Sequence, residues 1–390
     1  MTSSMNTMKK THGYKKMVLG LLCGILLMGI SQAFAEPQGM LETIKKHKFL
    51  TSTIPENGDV NPYAVIVAPV SAGVIEKDDV LVDNFNDISN LQGTGTTIIR
   101  YRPSTKETKL FAQVPKTLKD CPGGVGLTTA MTMLQSGWVI VGSTPSKDGT
   151  TATKGDGCLL VIDSNGKHVA TWAGSTINGP WGNMAAIDRG DTATLFISMA
   201  GFGLKGPGVI DPATKYPVLE HNATVLRLEL KIPKDKPPVL VSQTVVGDGF
   251  SHRADMANFL LGPTGLTLGP DDTLYVTDGL DNEITAIEKA STRSTSAGKG
   301  RLVTKDGLLS WPLAMLMTPE GHLIVANGKN GQAVEIDPKT DRQIYAHWLN
   351  ANQAQSPPGN GNLFGIALAP DGKSFYYVED DINALRIAAP

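Results

Sequence analysis

The segments "VLVDNF" (80–85), "LYVTDG" (274–279), "LIVANG" (323–328) and "FYYVED" (375–380) each run from apolar residues into amide or carboxylate side chains. Aligned with "VIVGST" and "LFISMA", they put Asn84, Ser143, Met199, Asp278, Asn327 and Glu379 at one recurring position. Oxygens converging on one point can hold a hard cation such as Ca²⁺, which takes about six to eight oxygen ligands. Asn84, Asp278, Asn327 and Glu379 are therefore the candidate metal ligands, for calcium or another divalent cation that would polarise a carbonyl for hydrolysis. The same residue types also end strands simply because they suit turns, and the sequence leaves both readings open.

A second set precedes a recurring small residue: Tyr63, Thr129, Trp181, Thr264, Leu313 and Phe364. Rings give flat apolar contact and oxygens give orientation, which together suit an organic ligand. Tyr63, Trp181, Thr264 and Phe364 are candidate ligand contacts on that ground, with packing between neighbouring elements as the alternative for each. "GFSHRAD" adds His252, a candidate general base, and Arg253, a candidate anion anchor. A His-Arg pair in a connection serves equally as a hydrogen-bonded structural element. No C-x-x-C pair, phosphate loop, G-x-S-x-G elbow or H-E-x-x-H is present.

These residues must be positioned by strands. Beyond residue 47 the pattern is one of short apolar or alternating runs bounded by Gly, Pro, Asn and Asp, which reads as all-β. "GPTGLTLGPDDTLYVTDG", "WPLAMLMTPEGHLIVANG" and "LFGIALAPDGKSFYYVED" repeat a strand, a P-[DE]-x turn and a strand. With three more degenerate copies, the common position falls at Ala64, Ala130, Gly182, Gly265, Ala314 and Gly365, at intervals of 66, 52, 83, 49 and 51 residues. A basal period near 50 with insertions fits six four-stranded antiparallel propeller blades. The last copy ends after its third strand, "INALRIA", so "KFLTSTI" (48–54) is expected to complete the sixth blade and close the ring. The expected organisation is a leader over 1–35, a lead-in segment over 36–47 and the propeller over 48–390.

The unit "GPTGLTLGPDDTLYVTDGLDNEI" resembles the NHL repeat, and the chain from residue 48 onward is similar to six-bladed propellers of the group that includes SMP-30/gluconolactonase-type lactonases. "NPYAVIV…VLVDNFND…NLQGTGTTI" further resembles secreted bacterial propellers of unassigned activity. The resemblance implies an oxygen-ligand metal set of the kind named above. The Glu-Gly-Pro entry motif that supplies a ligand in the lactonases is absent, with "GPW" following Asn178 instead. In such blades the first strand starts and the second ends on one face, which is the expected site. The long loops "NFNDISNLQGTG", "STPSKDGTTATKGDG" and "MAGFGLKGPGVIDPATKYPVLEHN" belong to adjacent blades 1 to 3. They predict a one-sided rim there for a small molecule or glycan, with Asp278, Asn327 and Glu379 exposed opposite. A non-catalytic face for a peptide, glycan or protein is the alternative.

Lysines without acids in "MTSSMNTMKKTHGYKK", the run "MVLGLLCGILLMGI" and "AFA" before Glu36 read as a bacterial signal peptide, so a periplasmic or secreted protein is expected. Its removal leaves 31 basic and 37 acidic residues, scattered, with no electrostatic footprint for nucleic acid. No membrane span is expected after processing, and a monomer is expected. Cys121 and Cys158 then remain, in an oxidising compartment. First and third strands of a blade lie about 10 Å apart, a gap that a cysteine in the flexible "DCPGG" loop can cover. A Cys121–Cys158 disulfide is predicted, stabilising the fold by roughly 3–4 kcal/mol. Intact mass with alkylation checks it: the unreduced, denatured protein should offer no free thiol from this pair, and two alkylated thiols would refute it.

Overall fold

The computed structural model describes residues 39–204 and 209–390, so the expected leader lies outside the described residues. Six antiparallel sheets carry the chain, and the first strands of successive blades pack against one another around a central channel. Blade 1 runs from Val60–Val67 to Glu107–Gln113, blade 2 from Leu127–Met133 to His168–Trp172, and blade 3 from Ala185–Asp188 to Val239–Asp255. Blade 4 runs from Pro263–Leu268 to Arg301–Lys305, and blade 5 from Pro312–Met317 to Arg342–Trp348. Blade 6 consists of Leu363–Leu368, Phe375–Glu379 and Ala384–Ala389, completed by the N-terminal strand Lys46–Ser52, which pairs antiparallel with Ala384–Ala389. The closing strand thus starts two residues before the predicted one.

Second strands such as Leu274–Asp278 and Leu323–Asn327 are buried along their whole length, so they read as continuous apolar runs. Fourth strands such as Arg342–Trp348 are half-exposed, which is why their sequences are weak repeats. The segment before the closing strand also has structure of its own. Met40–Thr43 forms a helical turn whose Met40 and Leu41 N–H groups donate to the buried carboxylate of Glu335 in blade 5, at 2.9 and 2.8 Å.

The recurring Gly/Ala position marks the closest approach of neighbouring blades. A Cβ added at Gly182, Gly265 or Gly365 would lie 1.4, 2.3 or 2.3 Å from the carbonyl oxygens of Thr264, Leu313 and Tyr63 in adjacent first strands. The first strand bulges there, breaking register between Pro263 and Leu266 in blade 4 and between Pro62 and Val65 in blade 1. A second-strand side chain takes up the freed N–H. Thr277 Oγ1 accepts from Gly265 N and donates to Leu313 O of the next blade, both at 2.7 Å. Ser198 Oγ does the same between Gly182 and Thr264.

Cys121 and Cys158 are disulfide-bonded, with Cα atoms 5.3 Å apart. The 118–124 turn brings Cys121 onto the start of the third strand of blade 2, and Gly157 N donates to Pro122 O beside it.

Blade 1 places Asp83 where blades 3 and 4 use hydroxyls. Its Oδ1 accepts from Ala64 N at 2.7 Å, while Oδ2 is buried with no partner. Burial pushes its pKa from 3.8 up to about 8. The folded state therefore keeps a proton that the unfolded chain releases above 3.8, and this group's stabilisation is lost as pH rises from there to about 8. Asp83→Asn stays neutral and can donate to the next blade as Thr277 does. Its stability relative to the parent should be level near pH 4 and rise steadily toward pH 8, as measured by denaturant unfolding across that range.

Candidate ligand-binding site

The aligned strand-end residues hold the connections between blades. Asp278 Oδ2 accepts from Ser251 N at 3.1 Å, and its Oδ1 accepts from Leu280 N at 3.1 Å. Asn327 accepts from Ser310 N and donates to Leu308 O, both at 3.0 Å. Asn84 Nδ2 donates to Thr53 O at 3.0 Å, and Glu379 accepts from Arg386 at 3.1 Å. Each pins a segment at its own blade's edge. Asp278, Asn327 and Glu379, expected to be exposed opposite the long loops, are buried at 0, 0 and 2% exposure: Asp278 and Asn327 draw the connecting chain over themselves, and Glu379 pairs with Arg386 of the neighbouring strand.

The aromatic residues do come together, as a plug. Tyr63 stacks on Phe85 and Phe364 with ring centroids 4.5 and 4.2 Å apart, and Trp181 meets Tyr63 edge-on at 5.7 Å. Phe259 closes the cluster against Phe85 and Trp181. It arrives on a feature outside the sequence reading. The fourth strand of blade 3 runs 17 residues, turns at Asp255, and returns as a fifth strand, Phe259–Leu261. Asp255 Oδ1 stabilises the turn by accepting from Ala257 N and Asn258 N. Blade 3 is thus five-stranded, and its hairpin lies over the channel mouth. Thr264 and Trp181, with one side of Phe364, line a void of about 10 Å³ beside Leu260.

His252 is buried: its ring faces Ala200 O at 2.7 Å through Nδ1 and Asn222 Oδ1 through Nε2. Burial is the main cause of a pKa below the ordinary histidine value. With both nitrogens engaged, the ring braces the hairpin base.

The long loops of blades 1 and 2 meet each other and the blade 3 hairpin as a wall. Ser146 N donates to Gly93 O at 2.8 Å, and Gln92 Nε2 donates to Ala257 O at 2.9 Å. Beside this wall lies a cleft of about 890 Å³, bounded by the 210–217 excursion and the 253–258 hairpin of blade 3 and by parts of blades 5, 6 and 1. Tyr63 and Phe364 contribute to its lining, Arg253 and Lys329 supply cations, and Asp380 supplies a carboxyl. Burial and the adjacent Asp381 push the Asp380 pKa up to about 7. Asn61, Phe259 and Trp311, at or under this cleft, hold φ of 63°, 67° and 54°, in the left-handed region.

One acidic cluster occurs among the described residues. Single ligand atoms of Asp278, Asp281 and Glu283 lie within 4.8 Å of one another. Lys299 Nζ pairs with Asp281 at 2.5 Å and also with Glu283, and Lys305 reaches Glu283 at 3.4 Å. The donor types suit a hard cation, but the Lys299 ammonium already occupies the place between two of the three carboxylates. A resident divalent ion does not fit while that lysine is there.

Sequence comparison finds no matching family model and no matching curated protein. Solved structures do match in fold. A gluconolactonase from Xanthomonas campestris is 13% identical, with 91% of this chain and 93% of that chain covered and a TM-score of 0.54. The PQQ-bound aldose sugar dehydrogenase of Streptomyces coelicolor is 16% identical, with 88% and 98% covered and a TM-score of 0.50. The chain shares the six-bladed propeller fold of gluconolactonase-like proteins. Among the described residues no helix is long and apolar enough to cross a membrane.

The lysine occupancy gives a metal prediction. Calcium should raise the melting temperature of Lys299→Gln more than that of the parent, since ligands that bind only the native state stabilise it. Adding Asp278→Ala should remove the gain. Calorimetry with and without calcium checks both steps, and equal responses in all three proteins would exclude the cluster as a cation site.

Proposed function

We propose that this propeller is an exported protein that binds a small organic ligand in the cleft between the blade 3 excursion and blades 5, 6 and 1. The observation that carries the reading is the combination, in one concavity of about 890 Å³, of ring surfaces, the three cations Lys215, Arg253 and Lys329, and three carboxyl groups, of which Asp380 has no side-chain partner among the described residues. Strained backbone at Asn61, Phe259 and Trp311 supports it, since such residues collect at ligand clamps. The leader-like sequence over 1–35 and the Cys121–Cys158 disulfide support export.

A divalent cation enters this reading only at Asp278, Asp281 and Glu283, where it competes with Lys299. Asp380 favours a hydrolytic version of the same site. It accepts no side-chain partner among the described residues, and a carboxyl titrating near 7 suits a general base for an ester or lactone. Asp380 would take the proton of a water attacking the carbonyl carbon and return it to the alkoxide released as the acyl C–O bond breaks.

A panel of neutral sugars, lactones, esters and small acids tests the proposal through tryptophan fluorescence and thermal shift. At least one compound should shift both, and Asn360→Trp, which fills the cleft, should abolish the response. A response that survives in the filled variant would place the site elsewhere. Where a lactone or ester is turned over, the rate should rise as pH passes about 7, because the base must be ionised. Asp380→Asn should then lose turnover and keep binding.

A further inference from the structure

Arg253 differs from the other arginines of the fold whose Nε is buried. Its side chain is 13% exposed, yet among the described residues its guanidinium makes no hydrogen bond. Arg100 and Arg386 also have a buried Nε without a partner, but both use their terminal nitrogens, on Glu107 at 3.2 Å and on Glu379 at 3.1 Å. Arg253 has only Asp255, whose Oδ2 is 3.6 Å away. The other oxygen of Asp255 is committed to the hairpin turn. Besides this ion pair, which is too long for a hydrogen bond, Arg253 has a ring: its guanidinium carbon sits 4.4 Å from the centroid of Tyr216 on the blade 3 excursion.

Lys329 is held in the same way on the blade 5 side. Its Nζ lies 4.8 Å from the Trp311 centroid, and it takes part in no ion pair among the described residues. Two cations lining one cleft are thus oriented by ring faces, which attract a cation without neutralising it. The Arg253 Nε is buried without an acceptor, and a buried donor of that kind calls for a partner. A guanidinium fork is matched in shape by a carboxylate or phosphate.

We propose that the ligand of this cleft is a small organic anion, whose carboxylate or phosphate is received by the fork of Arg253, which makes no hydrogen bond among the described residues, with Lys329 as a second cation. This rests on the cleft reading above and narrows it to a charge class. The acidic side of the cleft, Asp255, Asp380 and Asp381, is met by three cations, Lys215 completing the set with Arg253 and Lys329. Asp381 is engaged by the Asn350 and Asn352 amides at 3.2 and 2.8 Å. Asp380, held near 7, is partly protonated at neutral pH and can donate to a ligand oxygen.

The test compares benzoate and benzyl phosphate with their neutral counterpart benzyl alcohol, by tryptophan fluorescence titration of the full chain at low and high salt. Both anions should bind more tightly than the alcohol. Arg253→Gln should weaken the anions by about ten- to a hundredfold, the loss expected for a charged hydrogen-bonded pair, and leave the alcohol unchanged. Arg253→Lys keeps the charge without the fork, so it should retain the preference at reduced affinity; it decides the matter if the glutamine variant fails to fold. Lys329→Gln should have a smaller effect that shrinks with salt. Equal binding of anions and alcohol, unaffected by either Arg253 variant, would overturn the anion assignment and leave the cleft standing. Binding by none of the three probes would overturn both.

Discussion

The approach of six first strands around one channel is the constraint on which the rest of the fold depends. Where a strand comes within contact of the next blade's carbonyls, not even a methyl fits at Gly182, Gly265 and Gly365, and the other three blades carry nothing larger than alanine at that position. Crowding at that point forces the bulge, and the bulge frees an N–H that a second-strand residue must satisfy. Thr277 and Ser198 do so while reaching across to the next blade, so one hydroxyl serves both local geometry and ring assembly. Asp83 meets the same demand with a group that burial must keep protonated.

The next residue along each second strand inherits a different task. It lies at the face where the chain arrives from the preceding blade, and its amide or carboxylate is consumed in fixing that arrival: Asp278 on Ser251, Asn327 on Ser310, Asn84 on Thr53. A set of oxygens in register along the sequence therefore looks like a ligand shell and is spread out as separate pegs. Side chains that satisfy backbone groups have few lone pairs left for an ion. The acidic cluster beside Asp278 arises locally, within blade 4, and it carries its own lysine.

What could be read in advance was what repeats. Blade number, the small residue at the channel, the closing strand and the disulfide all follow from patterns of short range or fixed period. Two other features follow from neither. The helical turn at Met40–Thr43 is defined by Glu335, 295 residues from Met40, and no local pattern announces such a clamp. The hairpin at Asp255–Phe259 is hidden because "NFLLGP" reads as the lead into blade 4, and because Phe259 adopts a φ of 67° that local preference argues against. Its conformation is set by the Tyr63, Phe85 and Trp181 rings it packs among.

That hairpin decides where a ligand can bind. A six-bladed ring leaves an axial opening, and the first strands still line a cavity of about 400 Å³ at its far end. At the mouth, Phe259 and Leu260 fill the axis together with the aromatic residues that a ligand there would have used. The concavity is displaced sideways, over Phe364 and Trp311, with blade 3 as one wall. Displacement also changes its chemistry: the axis is ringed by backbone carbonyls and small side chains, whereas the lateral cleft gathers Arg253, Lys329 and Asp380 from three different blades. The repeat alone does not place these three together, because Arg253 sits in the hairpin peculiar to blade 3, while Lys329 and Asp380 come from the links after the second strands of blades 5 and 6. The departures from sixfold symmetry therefore make the cleft, and the symmetric positions make the frame that holds it.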